Sequence, residues 1–234
     1  METADAVARY LVLADISGYT RFLAGVEGQH GDDFRAGLPA GYRALGELLQ
    51  RVVDGLASDF RLVKVEGDAV FATATADAVD GRGSDVLDHL ATTYRTFIER
   101  RDALATSATD DKCTACFAIG QLDLKVVIHR GVAVQHAMGG AFDLIGPAVV
   151  VVHRLLKNTV RDRLGFRPYV LVTQAAASAL GLGDRGVAHQ EQYPDVGSID
   201  GRVLDLAELA AINPTRWPVP PTGSQAWPEI GMQG

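Results

Sequence analysis

Cysteine is scarce in this chain of 234 residues, in which only Cys113 and Cys116 occur. Two cysteines that are three positions apart in an otherwise cysteine-free chain do not make a disulfide framework. They could supply two ligands of a zinc site, with His129, His136 or His153 as further ligands, although no second cysteine pair completes the usual set of four. The other interpretation is a pair of reduced cysteines in a loop.

Basic runs and long apolar runs are missing as well. The formal net charge is −7, which argues against nucleic acid and against an anionic membrane surface as partners. A phosphorylated substrate would therefore need metal ions to offset the local repulsion. No stretch approaches the ~20 apolar residues that span a bilayer. Residues 1–10 lack the basic and apolar segments of a signal peptide, so we expect a soluble, cytoplasmic protein.

The chain does have enough apolar residues for a large core. Hydrophobic residues make up 47% of the sequence and charged residues 22%, a composition that excludes global disorder. We predict one domain over residues 1–212. From Asn213 onwards proline becomes frequent, so residues 213–234 are predicted to be an extended or disordered tail.

Hydrophobic periodicity divides residues 1–212 into strands and helices. The predicted strands are residues 9–15, a hairpin over 61–74, a strand pair over 122–138 that is broken at Arg130-Gly131, and strands at 168–173, 187–192 and 202–206. The predicted helices are residues 32–57, with Asp32 or Asp33 as the cap, 84–104, 147–160 and 174–181; residues 139–146 are a predicted loop. This order predicts an α+β fold with a ferredoxin-like βαββαβ core, in which helices pack on an antiparallel-rich sheet.

Two carboxylates lie at the ends of predicted strands. Asp15 ends the apolar run of LVLADISGYT, residues 11–20, and Asp68 lies in the turn EGDA, residues 66–69. In this topology the two strand ends can meet. Two carboxylates at such a short distance repel each other unless a divalent cation lies between them. Each aspartate also suits a turn by itself, so that role stays open.

Three segments carry sequence signatures in a fixed order. LADISGYTRF (13–22) ends an apolar strand with Asp-Ile-x-Gly-aromatic-Thr, and KVEGDAVFA (64–72) places Lys-x-x-Gly-Asp before another apolar strand. Residues 127–155 contain a His-x-Gly motif, an Asp-x-x-Gly loop and a Val-rich helix that ends in Arg-Leu. Together the segments resemble the signatures of class III adenylate and guanylate (nucleotidyl) cyclases. The resemblance covers residues 8–206 and points to an atypical bacterial side branch.

The resemblance implies a metal site. In this family the aspartates that match Asp15 and Asp68 hold two Mg²⁺ or Mn²⁺ ions, assisted by the backbone carbonyl that matches Ile16. The ions activate the ribose 3′-hydroxyl for attack on the α-phosphate and stabilise the leaving pyrophosphate.

The resemblance also implies a nucleotide site that two chains share. Lys64 and Asp143 match the family's adenine-recognising residues, and Arg154 matches the arginine that stabilises the transition state. Each of the three could instead be a surface charge or a loop cap. The family's sites form between protomers arranged head to tail, so Asp15 and Asp68 of one chain would work with the other three residues of its partner in a homodimer.

Two departures from the family pattern weaken the implied activity. Val150 stands where the family has a ribose-orienting asparagine; Asn158 is eight residues further on, which is ~12 Å along a helix, and does not replace it. The expected late phosphate-binding lysine is also missing, and only Arg202 lies in that region. We expect conversion of ATP to 3′,5′-cyclic AMP and pyrophosphate. The alternatives are a catalytically silent nucleotide-binding or dimerisation module and a pyrimidine nucleotide as substrate.

Overall fold

The structure is a computed structural model that describes residues 6–30, 37, 39–108, 118–138, 141–165 and 167–211. Its strands are β1 (Ala6–Ser17), β2 (Arg61–Glu66), β3 (Ala69–Thr75), β4 (Asp123–Met138), β5 (Ala141–Ile145), β6 (Tyr169–Thr173), β7 (Val187–Tyr193) and β8 (Gly197–Asp205). Its helices are α1 (Tyr19–His30), α2 (Ala40–Leu56), α3 (Ala76–Val79), α4 (Gly83–Ala108), α5 (Pro147–Leu155), α6 (Val160–Leu164), α7 (Gln174–Leu180) and α8 (Leu206–Leu209), with a 3₁₀ turn at Ala118–Gln121.

The strands form one mixed sheet with β1 near its centre. The order is β2-β3-β1-β4-β6-β8-β7, and β5 pairs with β4. β1 is antiparallel to both β3 and β4, whereas β4 and β6 are parallel. Residues 10–14 of β1 are at most 1% exposed, which explains why this strand is a continuous apolar run rather than an alternating one. The predicted α+β fold is confirmed.

Helices cover both faces of the sheet. Tyr10 and Val12 of β1 belong to the larger core, which α2 and α4 cover. Leu11 and Leu13 point to a smaller core on the other face, where Val152 of α5 packs. Successive side chains of a strand point to opposite faces, so β1 contributes to both cores. None of the helices in the described part of the chain is both long enough and apolar enough to cross a lipid bilayer.

The start of the first predicted helix was wrong. The chain forms a separate helix, α1, directly after β1, and α2 begins only at Ala40, after Pro39. Proline lacks a backbone N–H and disfavours helical geometry in the residue before it, so one helix cannot run through this point. The predicted caps Asp32 and Asp33 lie outside the described residues.

The break predicted at Arg130-Gly131 was also wrong. β4 is continuous, and in its ladder with β1 these two residues pair with Tyr10 and Arg9. A Cβ atom on Gly131 would lie 2.7 Å from the Cβ of Ala148, so the glycine marks the place where α5 packs on the sheet. The second strand of this hairpin is β5, within the predicted loop.

The later elements were closer to expectation. The hairpin over 61–74, the strand at 168–173 and the helix at 174–181 are confirmed. The helix predicted over 147–160 ends at Leu155 as α5, and a separate helix, α6, begins at Val160. Between them the Asn158 amide donates to the Leu155 carbonyl and accepts from the Val160 N–H. β8 begins at Gly197, before the predicted start at residue 202.

Two glycines of α2 should respond in opposite ways to substitution by alanine. A Cβ atom on Gly55 would overlap the buried side chain of Thr93 on α4, so Gly55→Ala should lower the free energy of unfolding by about 2 kcal/mol. Gly46 is exposed and has no atom within 4 Å of a built Cβ. Gly46→Ala should therefore be neutral or stabilising by up to about 1 kcal/mol. Urea denaturation of both variants checks this, and equal midpoints would contradict the packing.

Candidate functional site

The carboxylates of Asp15 and Asp68 lie together at one end of the β1–β3 pair. Asp15 pairs with Ala69 in the ladder, and the backbone N–H of Ile16 donates to the backbone oxygen of Asp68 at 3.1 Å. Gly67, with φ +62°, closes the β2–β3 turn in a conformation that glycine adopts readily. The structure thus brings together Asp15, Ile16 and Asp68.

Lys125 on β4 completes this cluster and was missed in the sequence. Its Nζ lies 3.0 Å from Oδ2 of Asp15 and donates to the backbone oxygen of Leu156 at 3.1 Å. Lys125 and Asp15 are directly opposite each other in the β1–β4 ladder. A lone lysine in the apolar run LDLKVVI was the available signal, because charged side chains are rarely buried without a partner.

Asp68 differs from Asp15 because it forms no ion pair with any described residue. No side chain in the described part of the chain donates a hydrogen bond to it or pairs with it. Burial raises the pKa of Asp68, and the nearby Asp15 carboxylate raises it further, while the Asp68 backbone N–H and Lys125 act in the opposite direction. A divalent cation between the two carboxylates would relieve this repulsion.

The donor set fits one class of metal better than another. Among the described residues no group of three or more His, Cys, Asp or Glu side chains gathers. Two carboxylates and a backbone carbonyl are, however, oxygen ligands, and Mg²⁺ commonly binds through one or two carboxylates plus substrate phosphates. The residues present therefore fit Mg²⁺ or Mn²⁺ when a phosphate compound completes the shell.

A cavity of about 660 Å³ opens beside the two aspartates, a volume typical of small-molecule sites. Asp15, Asp68, Lys125 and residues 16–22 are part of its wall. The β1–α1 turn contains Gly18 with φ +92°, and α1 begins at the cavity directly after this turn. The first turn of α1 contains no acidic residue. The first N–H groups of a helix have no intrahelical partners and favour an anion.

Lys64 and Asp143 meet at a different place. Nζ of Lys64 on β2 lies 2.9 Å from Oδ2 of Asp143 on β5 and 2.9 Å from Oε1 of Glu66. The hydrogen bond between Lys64 and Asp143 raises the pKa of the lysine and lowers that of the aspartate. Glu66, which sequence reasoning missed, also contacts Nε2 of His153 at 3.3 Å. The structure thus joins the two residues predicted to read the base.

Arg154 stands apart from both groups. It lies near the end of α5, and its Nε donates to Oδ2 of Asp195, in the β7–β8 turn, at 2.8 Å. Neither Arg154 nor the Lys64–Asp143 pair is part of the wall of the cavity beside Asp15. Within one chain, the six predicted residues therefore form separate groups.

The departures from the family pattern can be located in the structure. Val150 lies on α5 with 51% of its surface exposed. Asn158 lines the cavity, but its Nδ2 donates to the Leu155 carbonyl and its Oδ1 accepts from the Tyr169 hydroxyl at 2.9 Å. Its amide is therefore engaged. Arg202 is also engaged, because it pairs with Asp184.

The predicted zinc ligands do not come together within the described residues. Cys113 and Cys116 lie outside the described residues. His129 is buried, which lowers its pKa to about 4, and its Nδ1 lies 3.1 Å from Oγ1 of Thr173. His153 contacts Glu66 and the Val149 carbonyl. The zinc site stays a prediction.

Comparison with known proteins gives one family match and one relative. Residues 45–163, just over half of the chain, match the model of a family described as "Protein of unknown function (DUF2652)". "Uncharacterized protein Rv2561/Rv2562" of Mycobacterium tuberculosis is 28% identical over 165 residues, which are 70% of this chain and 74% of that protein.

The solved structures that this chain resembles include adenylyl and guanylyl cyclases. The guanylyl cyclase Cya2 has a TM-score of 0.58 at 13% identity and covers 86% of this chain and 93% of its own. The adenylyl cyclase CyaB from P. aeruginosa has a TM-score of 0.57 at 14% identity, and the match covers 86% of this chain and 96% of that one. A third similar structure is the catalytic core of a rhodopsin-guanylyl cyclase with converted specificity, in complex with ATPalphaS. Its TM-score is 0.54 at 14% identity, and the match covers 85% of this chain and 95% of that one. At these identities the likeness establishes a cyclase-like fold.

Proposed function

The chain belongs to the DUF2652 family of proteins of unknown function, and we propose from its own site that it is a nucleotidyl cyclase that converts ATP to 3′,5′-cyclic AMP and pyrophosphate. The observation that carries the proposal is the pair of carboxylates, Asp15 and Asp68, on the wall of a nucleotide-sized cavity. The cyclase-like fold supports it.

Asp15 and Asp68, with the backbone carbonyl of Ile16, would hold two Mg²⁺ or Mn²⁺ ions. When bound, such ions acidify the attacking 3′-hydroxyl and stabilise the leaving pyrophosphate. Asp68 suits this role because no side chain among the described residues forms an ion pair with it. Lys125 holds Asp15 in place from the neighbouring strand and is itself part of the wall of the cavity that would receive the phosphates. The N–H groups at the start of α1 would add neutral donors to the same phosphates.

Lys64 and Asp143 would read the base. The lysine ammonium would donate to a ring nitrogen of adenine, and the aspartate would accept from the exocyclic amino group. Guanine presents the opposite pattern, which is why this pair favours ATP over GTP. The two residues already hold each other at 2.9 Å, so the recognising groups are oriented before the base arrives.

The reaction requires two chains under this proposal, because one chain keeps its groups apart. In a head-to-tail homodimer, Lys64, Asp143 and Arg154 of one protomer would face Asp15 and Asp68 of its partner. Arg154 would exchange Asp195 for the transferring phosphate, where a guanidinium offsets the developing charge. Val150 leaves the ribose without a hydrogen bond, and loss of one such contact slows catalysis by ~10²–10³. We therefore propose a slow enzyme.

A second candidate function is a catalytically silent nucleotide-binding or dimerisation module. Two observations favour it: Val150 cannot orient a ribose, and Arg154 is engaged by Asp195. Such a module would bind ATP or dimerise without forming a product. A pyrimidine nucleotide as substrate is a variant of the first proposal, because base choice depends on only two side chains.

An assay of the full chain separates these functions. With Mn²⁺ and ATP, GTP, CTP or UTP supplied separately, we expect a 3′,5′-cyclic product from ATP by mass spectrometry, and none from Asp68→Asn. A product from another nucleotide would reassign the base. Silence with all four nucleotides, together with calorimetric binding of ATP, would establish the binding module instead.

A further inference from the structure

Two arginines lie on the wall of the same cavity as Asp15 and Asp68. Arg161 is on α6 and Arg167 precedes β6 by two residues. The parallel β4–β6 ladder pairs Lys125 with Tyr169, so the beginning of β6 lies next to the strand that holds Asp15. The topology thereby brings a segment from late in the chain to the first strand.

Neither arginine has a close partner among the residues that the structure describes. Both are exposed, and neither makes an ion pair or a side-chain hydrogen bond with any described residue. Arg167 acts on the buried carboxyl of Asp123 only through its charge. Burial raises the pKa of Asp123, and the positive charge of Arg167 is one of the effects that lower it. By contrast, Arg154 and Arg202 are each held by an aspartate. In a chain with a net charge of −7, two guanidinium groups in one cavity thus lack an ion-pair partner within the described residues.

The helix that carries Arg161 is firmly anchored. The buried carboxylate of Glu191 accepts hydrogen bonds from the N–H and the hydroxyl of Thr159, at 2.6 and 2.8 Å, and lies 2.6 Å from Nε2 of His189. Val160 is fully buried. A buried and hydrogen-bonded network of this kind fixes the direction of a short helix. Arg161 is therefore presented to the cavity by a rigid support.

We propose that Arg161 and Arg167 bind the β- and γ-phosphates of a nucleoside triphosphate in the same chain that supplies Asp15 and Asp68. This inference rests on the proposed function, and it assigns the role of the missing late lysine to these two arginines. A guanidinium presents paired donors that match phosphate oxygens. Arg21 and Asp162, one basic and one acidic residue, also lie on the cavity wall.

The test measures polyphosphate binding without base or ribose. The probe is the preformed Mn²⁺ complex of inorganic tripolyphosphate, titrated by calorimetry into the full chain. Arg161→Gln and Arg167→Gln should each weaken binding about tenfold, and the double variant about a hundredfold. Arg163→Gln is the matched control, because Arg163 is on the same helix, contacts the Gln190 carbonyl and is not part of the cavity wall. It should bind like the wild type.

The outcomes separate this inference from the proposed function. Double-variant binding as tight as that of Arg163→Gln would overturn the role of the two arginines and leave the cyclase proposal standing. Arginine-dependent binding by a protein that forms no cyclic nucleotide would support the phosphate site and count against the cyclase. A wild-type chain that does not bind the probe would overturn the role of the two arginines, and the cyclase assay with ATP would then decide the proposed function by itself.

Discussion

Asp15→Asn should lower Mn²⁺-dependent turnover by about a hundredfold or more, because an uncharged amide is a poor ligand for a hard cation. The side chain keeps its size, and residue 15 stays paired with β3 and β4 on its two sides. The backbone should therefore be unchanged. The measurement is the rate of cyclic nucleotide formation by purified Asp15→Asn, compared with the wild type at saturating Mn²⁺ and ATP.

The Asp15–Lys125 ion pair offers a structural explanation that needs its own control. If Asp15 serves only to neutralise Lys125, then Asp15→Asn and Lys125→Gln remove the same interaction and should have similar effects. If Asp15 is a metal ligand, the two variants should change the affinity for Mn²⁺ in opposite directions. Lys125→Gln removes a positive charge 3.0 Å from the carboxylate and should bind Mn²⁺ more tightly, whereas Asp15→Asn should bind it more weakly. Free Mn²⁺ measured by paramagnetic resonance distinguishes the two cases.

The two aspartates of the proposed metal site could be predicted from the sequence because each ends a short local element. The apolar run before Asp15 and the Glu-Gly-Asp turn around Asp68 are readable within ten residues of each aspartate. Their meeting follows from one antiparallel pairing, β1 with β3. Local patterns and one pairing of neighbouring strands were sufficient.

The remaining members of the site depend on long-range register, which no local pattern encodes. Lys125 lies beside Asp15 because of a strand pairing across more than one hundred residues, and Arg167 joins them through a further ladder. Asp195 reaches Arg154 from a turn in another hairpin. α1 was missed for a different reason, since Gly25 and Gly28 lower the intrinsic helix propensity of that segment.

Two inactive variants should restore activity when they share a dimer. Arg154→Ala alone should slow turnover by ~10²–10³, because it removes the cation from the transferring phosphate. In a mixed dimer with Asp15→Asn, one of the two head-to-tail sites contains neither change. If chains exchange at random, half of the dimers are mixed, so about a quarter of the wild-type activity should return in a symmetric assembly. Co-expression with two affinity tags yields the mixed dimers.

The matched control for this experiment is a mixed dimer of one Asp15→Asn chain and one Asp68→Asn chain. Both changes fall in the same half of the proposed site, so no arrangement of the two chains yields an intact one. Recovery in the first mixture and none in the second would mean that Arg154 acts across the interface. Purified mixed dimers that stay inactive would contradict a shared site, because Arg154 would then have to leave Asp195 and serve Asp15 of its own chain, or take no part in the reaction.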